Sequence, residues 1–195
     1  MSLQYYQNNA HHFFYETVNV DMTELYQYFV PHLAKDALIL DAGCGSGRDT
    51  KAFIQMGFHV EAIDGSEKMV EMARQLTQLD VKLKTFQEID AVEKYDAIWA
   101  CASLLHVTYQ ELPIVFKKMF FSLKPNGIWY LSFKYGDEER LVNGRLFTDL
   151  NENKLESLIS PCSNLQLVEL WITEDNRVHR KERWFNAILK KSTNN

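Results

Sequence analysis

Residues 40–47 read Leu-Asp-Ala-Gly-Cys-Gly-Ser-Gly and set glycines at three alternate positions between an apolar run and a segment of helical period. Glycines so spaced let a backbone turn sharply and approach a ligand closely, with a helix N-terminus aimed at it. Alone, such a loop fits a plain tight turn as well as a nucleotide site. An acid, Asp64, follows Gly43 by 21 positions at the end of the next apolar run. A carboxylate there can accept from both hydroxyls of a ribose, so loop and acid together point to an adenosine-type ligand.

The choice among such ligands turns on Arg48 and Asp41. A dinucleotide loop reads G-x-G-x-x-G, its third glycine serving close helix packing. Here the pattern is Gly43-x-Gly45-x-Gly47, and Arg48 occupies the third-glycine position. Asp41 ends the strand beside the loop, where a carboxylate would repel a pyrophosphate but suit the ammonium of a methionine moiety, directly or through water. Both features favour S-adenosylmethionine over a nicotinamide or flavin dinucleotide.

Further along, His106 follows a buried run at the mouth of the expected cleft. It reads as a general base for an acceptor, or as an imidazole that orders the loop before Thr108. Cys101 reads as a small apolar wall rather than a nucleophile. Arg145, between Gly144 and Leu146-Phe147, is expected to contact substrate, because a guanidinium can clamp an oxyanion bidentately. The aromatic N-terminus, with Tyr5-Tyr6 and His11-His12-Phe13-Phe14-Tyr15, reads as a lid over the site or as an ordinary helix on the sheet edge. Two adjacent histidines without further ligands are a poor metal signal, and no metal site is expected.

The elements that would position these residues follow from apolar period. Short apolar runs alternate with helical segments, the mark of an α/β fold with a doubly wound, mostly parallel sheet. A first helix is expected from Asp21, with Asp21-Met-Thr-Glu24 as a capping box, Leu25, Tyr28, Phe29 and Leu33 as its stripe, and Pro31 kinking or ending it. Strands are expected at Ala37–Asp41, Val60–Ile63, Val81–Phe86, Tyr95–Ala100 and Ile128–Phe133. A helix runs from Gly47 to a left-handed cap at Gly57. Another, capped by Ser66, buries Met69, Met72, Ala73, Leu76 and Leu79. A third follows the capping box Thr108–Glu111 and buries Leu112, Val115, Phe116, Met119 and Leu123. Pro125-Asn126-Gly127 reads as a turn. A helix near Asn151–Ser160 precedes two strands, Leu165–Thr173 and Arg180–Leu189, joined by the turn Glu174–Arg177.

The whole chain bounds the answer. Its 195 residues, 46% hydrophobic and 24% charged, suit one globular domain. No linker is visible, so residues 1–195 are expected to form it, 1–35 as an N-terminal helical cap or lid and 36–195 as a Rossmann-like core. No apolar run reaches the ~18–20 residues of a membrane span, and no signal-peptide pattern opens the chain. Three cysteines at irregular spacing suit a reduced cytoplasm. A net charge of −5 argues against a standing nucleic-acid partner, though not against a local basic pocket. Oligomeric state is not legible.

Taken in order, Asp41–Gly47, Ala62-Ile-Asp64-Gly65-Ser66 with Met69, Tyr95–Cys101, Leu104-Leu-His106-Val107 and Leu123–Gly127 resemble the class I S-adenosylmethionine methyltransferases over nearly the whole chain. Cys44-Gly-Ser-Gly-Arg48-Asp49 most resembles the small bacterial tellurite-resistance-type methyltransferases. The resemblance implies seven strands in the order 3-2-1-4-5-7-6, with strand 7 alone antiparallel. It implies that Gly43, Gly45 and Gly47 line methionine and ribose, with Arg48 in the same loop. Asp64, with Gly65 and Ser66, would hold the ribose hydroxyls. Met69 would lie near the adenine and Cys101 near the methionine. Many relatives carry an acid after strand 3 for the adenine amino group. Here Thr85-Phe86-Gln87-Glu88 stands there, with Thr85 as a weaker substitute and Phe86 supplying a ring and a backbone donor.

These readings lead to in-line transfer of a methyl group to a small-molecule acceptor, anionic if Arg145 faces it, with His106 and Tyr6 at the pocket rim. The Asp/Asn-Pro-Pro-aromatic turn of exocyclic-amine nucleic-acid methyltransferases is replaced by Ala102-Ser-Leu-Leu105. A non-catalytic S-adenosylmethionine-binding module and a nicotinamide-dependent oxidoreductase stay open as alternatives.

Overall fold

The structure, a computed structural model, describes residues 2–175 and 181–193. Helices α1 (Ser2–Thr17) and α2 (Thr23–Phe29) precede β1 (Leu38–Ala42), α3 (Arg48–Gln55), β2 (His59–Asp64), α4 (Glu67–Thr77) and the short β3 (Lys82–Leu83). There follow β4 (Tyr95–Ala100), α5 (Leu112–Ser122), β5 (Leu123–Lys134), a hairpin of β6 (Glu139–Val142) and β7 (Arg145–Thr148), α6 (Glu152–Ile159), β8 (Leu165–Glu174) and β9 (Arg183–Lys191). The main sheet has the order β3-β2-β1-β4-β5-β9-β8. Its first five strands are parallel, and β9 alone runs against its neighbours β5 and β8. This is the Rossmann-like methyltransferase fold expected from the sequence.

Strand alternation divides the core into two layers. On β4, Ala97 and Trp99 face a layer with Leu25, Tyr26 and Phe29 of α2 and Phe53 of α3. Ile98 and Ala100 face the opposite layer, with Phe116 and Met119 of α5 and Leu155 and Leu158 of α6. The chain therefore changes faces between β1 and β4. Their following loops part at that switch point, which opens a crevice at the carboxyl ends of the strands.

Several local expectations are corrected. The Asp21 box does not form: α2 starts at Thr23 with Met22 before it, and the Asp21 carboxylate instead accepts from the Thr23 N–H and hydroxyl. Ser66 precedes α4 but its hydroxyl caps nothing; Gln7 Oε1 of α1 accepts from the Ser66 hydroxyl at 3.3 Å and the Lys68 N–H at 3.2 Å. Strand 3 shrinks to Lys82–Leu83, because Thr85 and Glu88 form a capping box that winds Phe86–Glu88 into a 3₁₀ turn. Leu123 opens β5 rather than closing α5, and Pro125–Gly127 lies inside that strand as a bulge with Asn126 left-handed. Arg145, placed in no element from the sequence, lies on the β6–β7 hairpin. The start of the last expected strand and its turn fall partly on 176–180, outside the described residues.

The stop at Gly57 takes the expected form. Gly57 has φ +93°, its N–H reaches Ile54 O and that of Phe58 reaches Phe53 O, the bond pattern of a Schellman cap. Gly47 also has positive φ (+80°), and a Cβ there would meet Ala73 Cβ and Thr77 Cγ2 at 3.1 Å; at Gly57 it would meet nothing within 4 Å. Gly57→Ala should therefore cost about 1 kcal/mol, from backbone conformation alone. Gly47→Ala should cost at least twice that in urea melts. Equal losses would mean that α4 does not press on the loop.

Candidate functional site

The crevice holds two cavities, one to each side of the glycine loop. One, of about 240 Å³, is bounded by Asp64, Gly65, Met69, Thr85, Phe86 and Gln87 on the sheet side and by Ser2, Leu3 and Tyr6 of α1. The other, of about 330 Å³, lies among Cys44, Arg48, Cys101, Ser132, Lys134, Arg145, Phe147 and the carboxyl end of β8. Tyr6, Phe13, Gly43, Gly45, Ala102 and His106 belong to both walls.

Asp64 is set by its own loop. Its Oδ2 accepts from the Gly45 N–H at 2.9 Å and its Oδ1 from the Ser66 N–H at 2.8 Å. Burial raises its pKa, and those backbone bonds oppose the rise. Each oxygen keeps a further lone pair for a ligand. A Cβ on Gly43 would fall 2.6 Å from Ser103 Cβ and 3.0 Å from Phe86 Cζ, so only glycine leaves the space there open. A Cβ on Gly45 would reach only Phe13, at 3.5 Å. The cradle, the carboxylate and the apolar plates Met69 and Phe86 fit an adenosine.

Three residues expected to line the site do not. Gly47 lines neither cavity; it packs the loop on α4, the duty that the third glycine of a dinucleotide loop would perform. Ser66 contributes its backbone N–H to Asp64, while its hydroxyl turns to Gln7. Asp41, 2% exposed, lies behind the loop and accepts from the Thr50 hydroxyl.

Arg48 does reach the larger cavity, braced from behind. Its Nε and Nη2 donate to the two oxygens of Asp49 at 2.7 and 2.9 Å, and Nη1 donates to Thr17 O at 3.4 Å. Asp49 accepts as well from the Tyr26 hydroxyl at 2.6 Å and Trp99 Nε1 at 2.8 Å. Burial pushes the Asp49 carboxyl upward, but the Arg48 charge and these bonds outweigh it and hold it below the usual range. Burial, and then the Asp49 charge, push Asp41 up instead, with the Thr50 bond opposing them. Tyr26, Asp49 and Trp99 were not singled out in the sequence, since contacts 23 and 50 positions apart leave no local pattern.

His106 stands between the cavities with both ring nitrogens engaged. Nδ1 lies 2.7 Å from Leu146 O, which only accepts, so Nδ1 carries the proton. Nε2 then accepts from the Tyr6 hydroxyl at 2.6 Å. Burial lowers the imidazole pKa to about 4 and raises that of Tyr6 to about 12. The ring is thus neutral and orders the β7 edge, with Tyr6 capping its basic nitrogen. Cys101 lines the larger cavity, its thiol pushed up by burial to about 12, as a wall should be. Arg145 comes from β7, sandwiched between the rings of Tyr5 (4.5 Å) and Phe147 (5.1 Å), and its buried Nε has no protein partner. Lys134 beside it pairs with Glu182 at 3.2 Å.

Residues 39–127 match the model of a family described as a methyltransferase domain. A ubiquinone biosynthesis O-methyltransferase of Bradyrhizobium diazoefficiens is 28% identical over 99 residues, covering 48% of this chain and 38% of that protein. The chain thus spans well under half the length of such relatives. An uncharacterised methyltransferase of Staphylococcus carnosus is 27% identical over 161 residues and 78% of each chain. Among solved structures, a Burkholderia thailandensis 1,6-didemethyltoxoflavin-N1-methyltransferase, with 1,6-didemethyltoxoflavin and S-adenosylhomocysteine bound, superposes with a TM-score of 0.79 at 20% identity, covering 98% of this chain and 87% of that one. That likeness speaks to the fold.

The two neighbouring acids should answer the same substitution with opposite signs. Asp49→Asn leaves the Arg48 guanidinium, 19% exposed, without its counter-charge and should cost about 3 kcal/mol. For Asp41, whose folded pKa is raised, native protein binds more protons than unfolded chain above pH 4, so its contribution falls as pH rises through the folded pKa. Asp41→Asn removes that fall and should flatten the stability profile between pH 5 and 8 in urea melts. An unchanged profile would show that Asp41 ionises as freely as in the unfolded chain.

Proposed function

We propose that this chain is an S-adenosylmethionine-dependent methyltransferase acting on a small-molecule acceptor. The observation that carries the reading is the pairing of two cavities across one glycine loop, a ribose-type carboxylate in the first and cationic and aromatic side chains in the second. When bound, the cofactor supplies an electrophilic methyl group on a sulfonium. Asp64 holds the ribose hydroxyls, and Gly43 and Gly45 let the ligand pass close beneath the loop. Met69 and Phe86 flank the base, while Arg48 and Cys101 border the methionine end. Positioning and water exclusion are the work left to the protein.

On the acceptor side we assign an anionic group, an oxyanion or a carboxylate, to Arg145. Its stacked guanidinium has an unpartnered Nε and lines the larger cavity. The tellurite-resistance-type resemblance around Cys44–Asp49 points the same way. His106, neutral and capped by Tyr6, acts as an organiser of the rim; an acceptor that arrives ionised needs no base from it. Residues 1–35 form the N-terminal cap of a single domain, and α1 is its lid, since it brings Tyr6 and Phe13 to the walls of both cavities. No helix among the described residues is long and apolar enough to cross a membrane. The free thiols suit the cytoplasm.

Calorimetry tests the core of this reading: S-adenosylhomocysteine should bind and NADH should not, and the reverse would overturn it. Asp64→Ala should weaken S-adenosylhomocysteine at least 100-fold, since two charge-assisted bonds go, each worth roughly 1.5–3 kcal/mol. With a methyl acceptor in hand, Arg145→Ala should lose at least tenfold in kcat/KM while cofactor affinity is kept. Arg145→Lys should recover little, because an ammonium cannot make the fork. Normal turnover by both variants would remove the anionic assignment.

A further inference from the structure

The edge of the smaller cavity beyond Asp64 is where a purine attached to that ribose must end, and several of its polar groups are hydrogen-bonded to one another. Thr85 and Glu88 close a capping box: Glu88 Oε2 accepts from the Thr85 N–H at 2.8 Å and the Thr85 hydroxyl at 2.7 Å, and the Thr85 oxygen faces the Glu88 N–H. The Thr85 methyl is turned toward Gly65, 3.6 Å from where a Cβ would stand there. Asp90 accepts from Lys84 Nζ at 2.6 Å. Bonds within this edge therefore engage the Thr85 hydroxyl and one oxygen of each carboxylate, and neither Glu88 nor Asp90 lines the cavity. At this edge the cavity is lined by the thioether of Met69, the ring of Phe86 and Gln87, together with Thr85, held in its box, and Lys84, held by Asp90.

Gln87 differs in kind from a carboxylate. Its amide carries an acceptor at one end and donors at the other, and a half-turn of the group exchanges them. Among the described residues its side chain makes one hydrogen bond, a long donation to Glu111 Oε1 at 3.5 Å, which holds it weakly. Presented with a 6-amino purine, it can turn its oxygen inward; presented with a 6-oxo purine, it can turn its nitrogen inward.

We infer that this chain holds its nucleoside by the ribose carboxylate and by apolar faces, leaving the 6-position of the purine unread, with Gln87 the residue that makes it so. The inference rests on the cofactor reading above and concerns its specificity. It also implies that a 6-oxo analogue could serve as a methyl donor ligand.

The test is calorimetric titration of the chain with S-adenosylhomocysteine and with S-inosylhomocysteine, repeated on Gln87→Glu. Gln87 is exposed and outside the core, so the variant should fold as the parent does. In the parent the two dissociation constants should agree within tenfold, a gap no larger than one neutral hydrogen bond produces. Gln87→Glu presents an acceptor in either orientation, so it should widen the gap beyond tenfold in favour of the adenosyl ligand. A parent gap above tenfold, or a gap that Gln87→Glu leaves unchanged, overturns the inference while S-adenosylhomocysteine binding upholds the cofactor reading. Failure of both ligands to bind overturns both.

Discussion

The buried carboxylate of Asp49 is the point through which the site is braced. Four side-chain donors from three partners converge on it: two from Arg48, one from Tyr26 of α2 and one from Trp99 of β4. An ion sunk this deeply is tolerable only when its lone pairs are filled and its charge is matched, and here both conditions hold. Its place in the first turn of α3 adds the favourable field of the helix N-terminus. Through Arg48 the same cluster touches the Thr17 carbonyl at the end of α1. One group therefore fixes the glycine loop relative to the sheet, to α2 and to the segment covering the crevice. The stacked pair Trp99 and Tyr130, 4.0 Å apart, carries that rigidity into β5.

Around this brace, charge and apolar surface are sorted to either side of the loop. The smaller cavity has half-buried Asp64 among thioether, ring and backbone, with Lys84, Thr85 and Gln87 at its far edge. The larger cavity carries cations stacked on rings, Arg145 on Tyr5 and Phe147, and Lys134 on Phe147 at 4.4 Å. Guanidinium held against aromatic faces sheds water readily, so it stays fit to meet an anion. Tyr6 and His106 stand in the partition, hydrogen-bonded and uncharged, and neither adds a charge to the boundary.

The sequence made the parallel sheet, the glycine loop and Asp64 legible because each rests on neighbours within a few positions. Apolar runs count strands, glycine spacing marks the loop, and the acid stands at a fixed reach from it. The reversed strand β9 came from the family resemblance together with the period-two pattern near the end of the chain. What escaped lies in long-range pairing. The trans cap of α4 by Gln7 joins residues 61 positions apart, and no pattern near Ser66 foretells it. The four-pair ladder of Glu139–Thr148 carries charges that mask any strand period. The family resemblance placed Gly47 at the ligand, and nothing local in the sequence shows that the residue packs against α4 instead.

The return of α1 onto α4 and β7 has a consequence for the order in which the molecule is built. Ser2 Oγ accepts from the Leu146 N–H, across 144 positions, and Tyr6 reaches His106 across 100. Such closures come at high loop entropy and reward the chain only once both sheet faces exist. These contacts of α1 therefore depend on strands and loops that come much later in the chain. With the sheet in place, Tyr6 and Phe13 of α1 complete walls that the strands and their loops leave open.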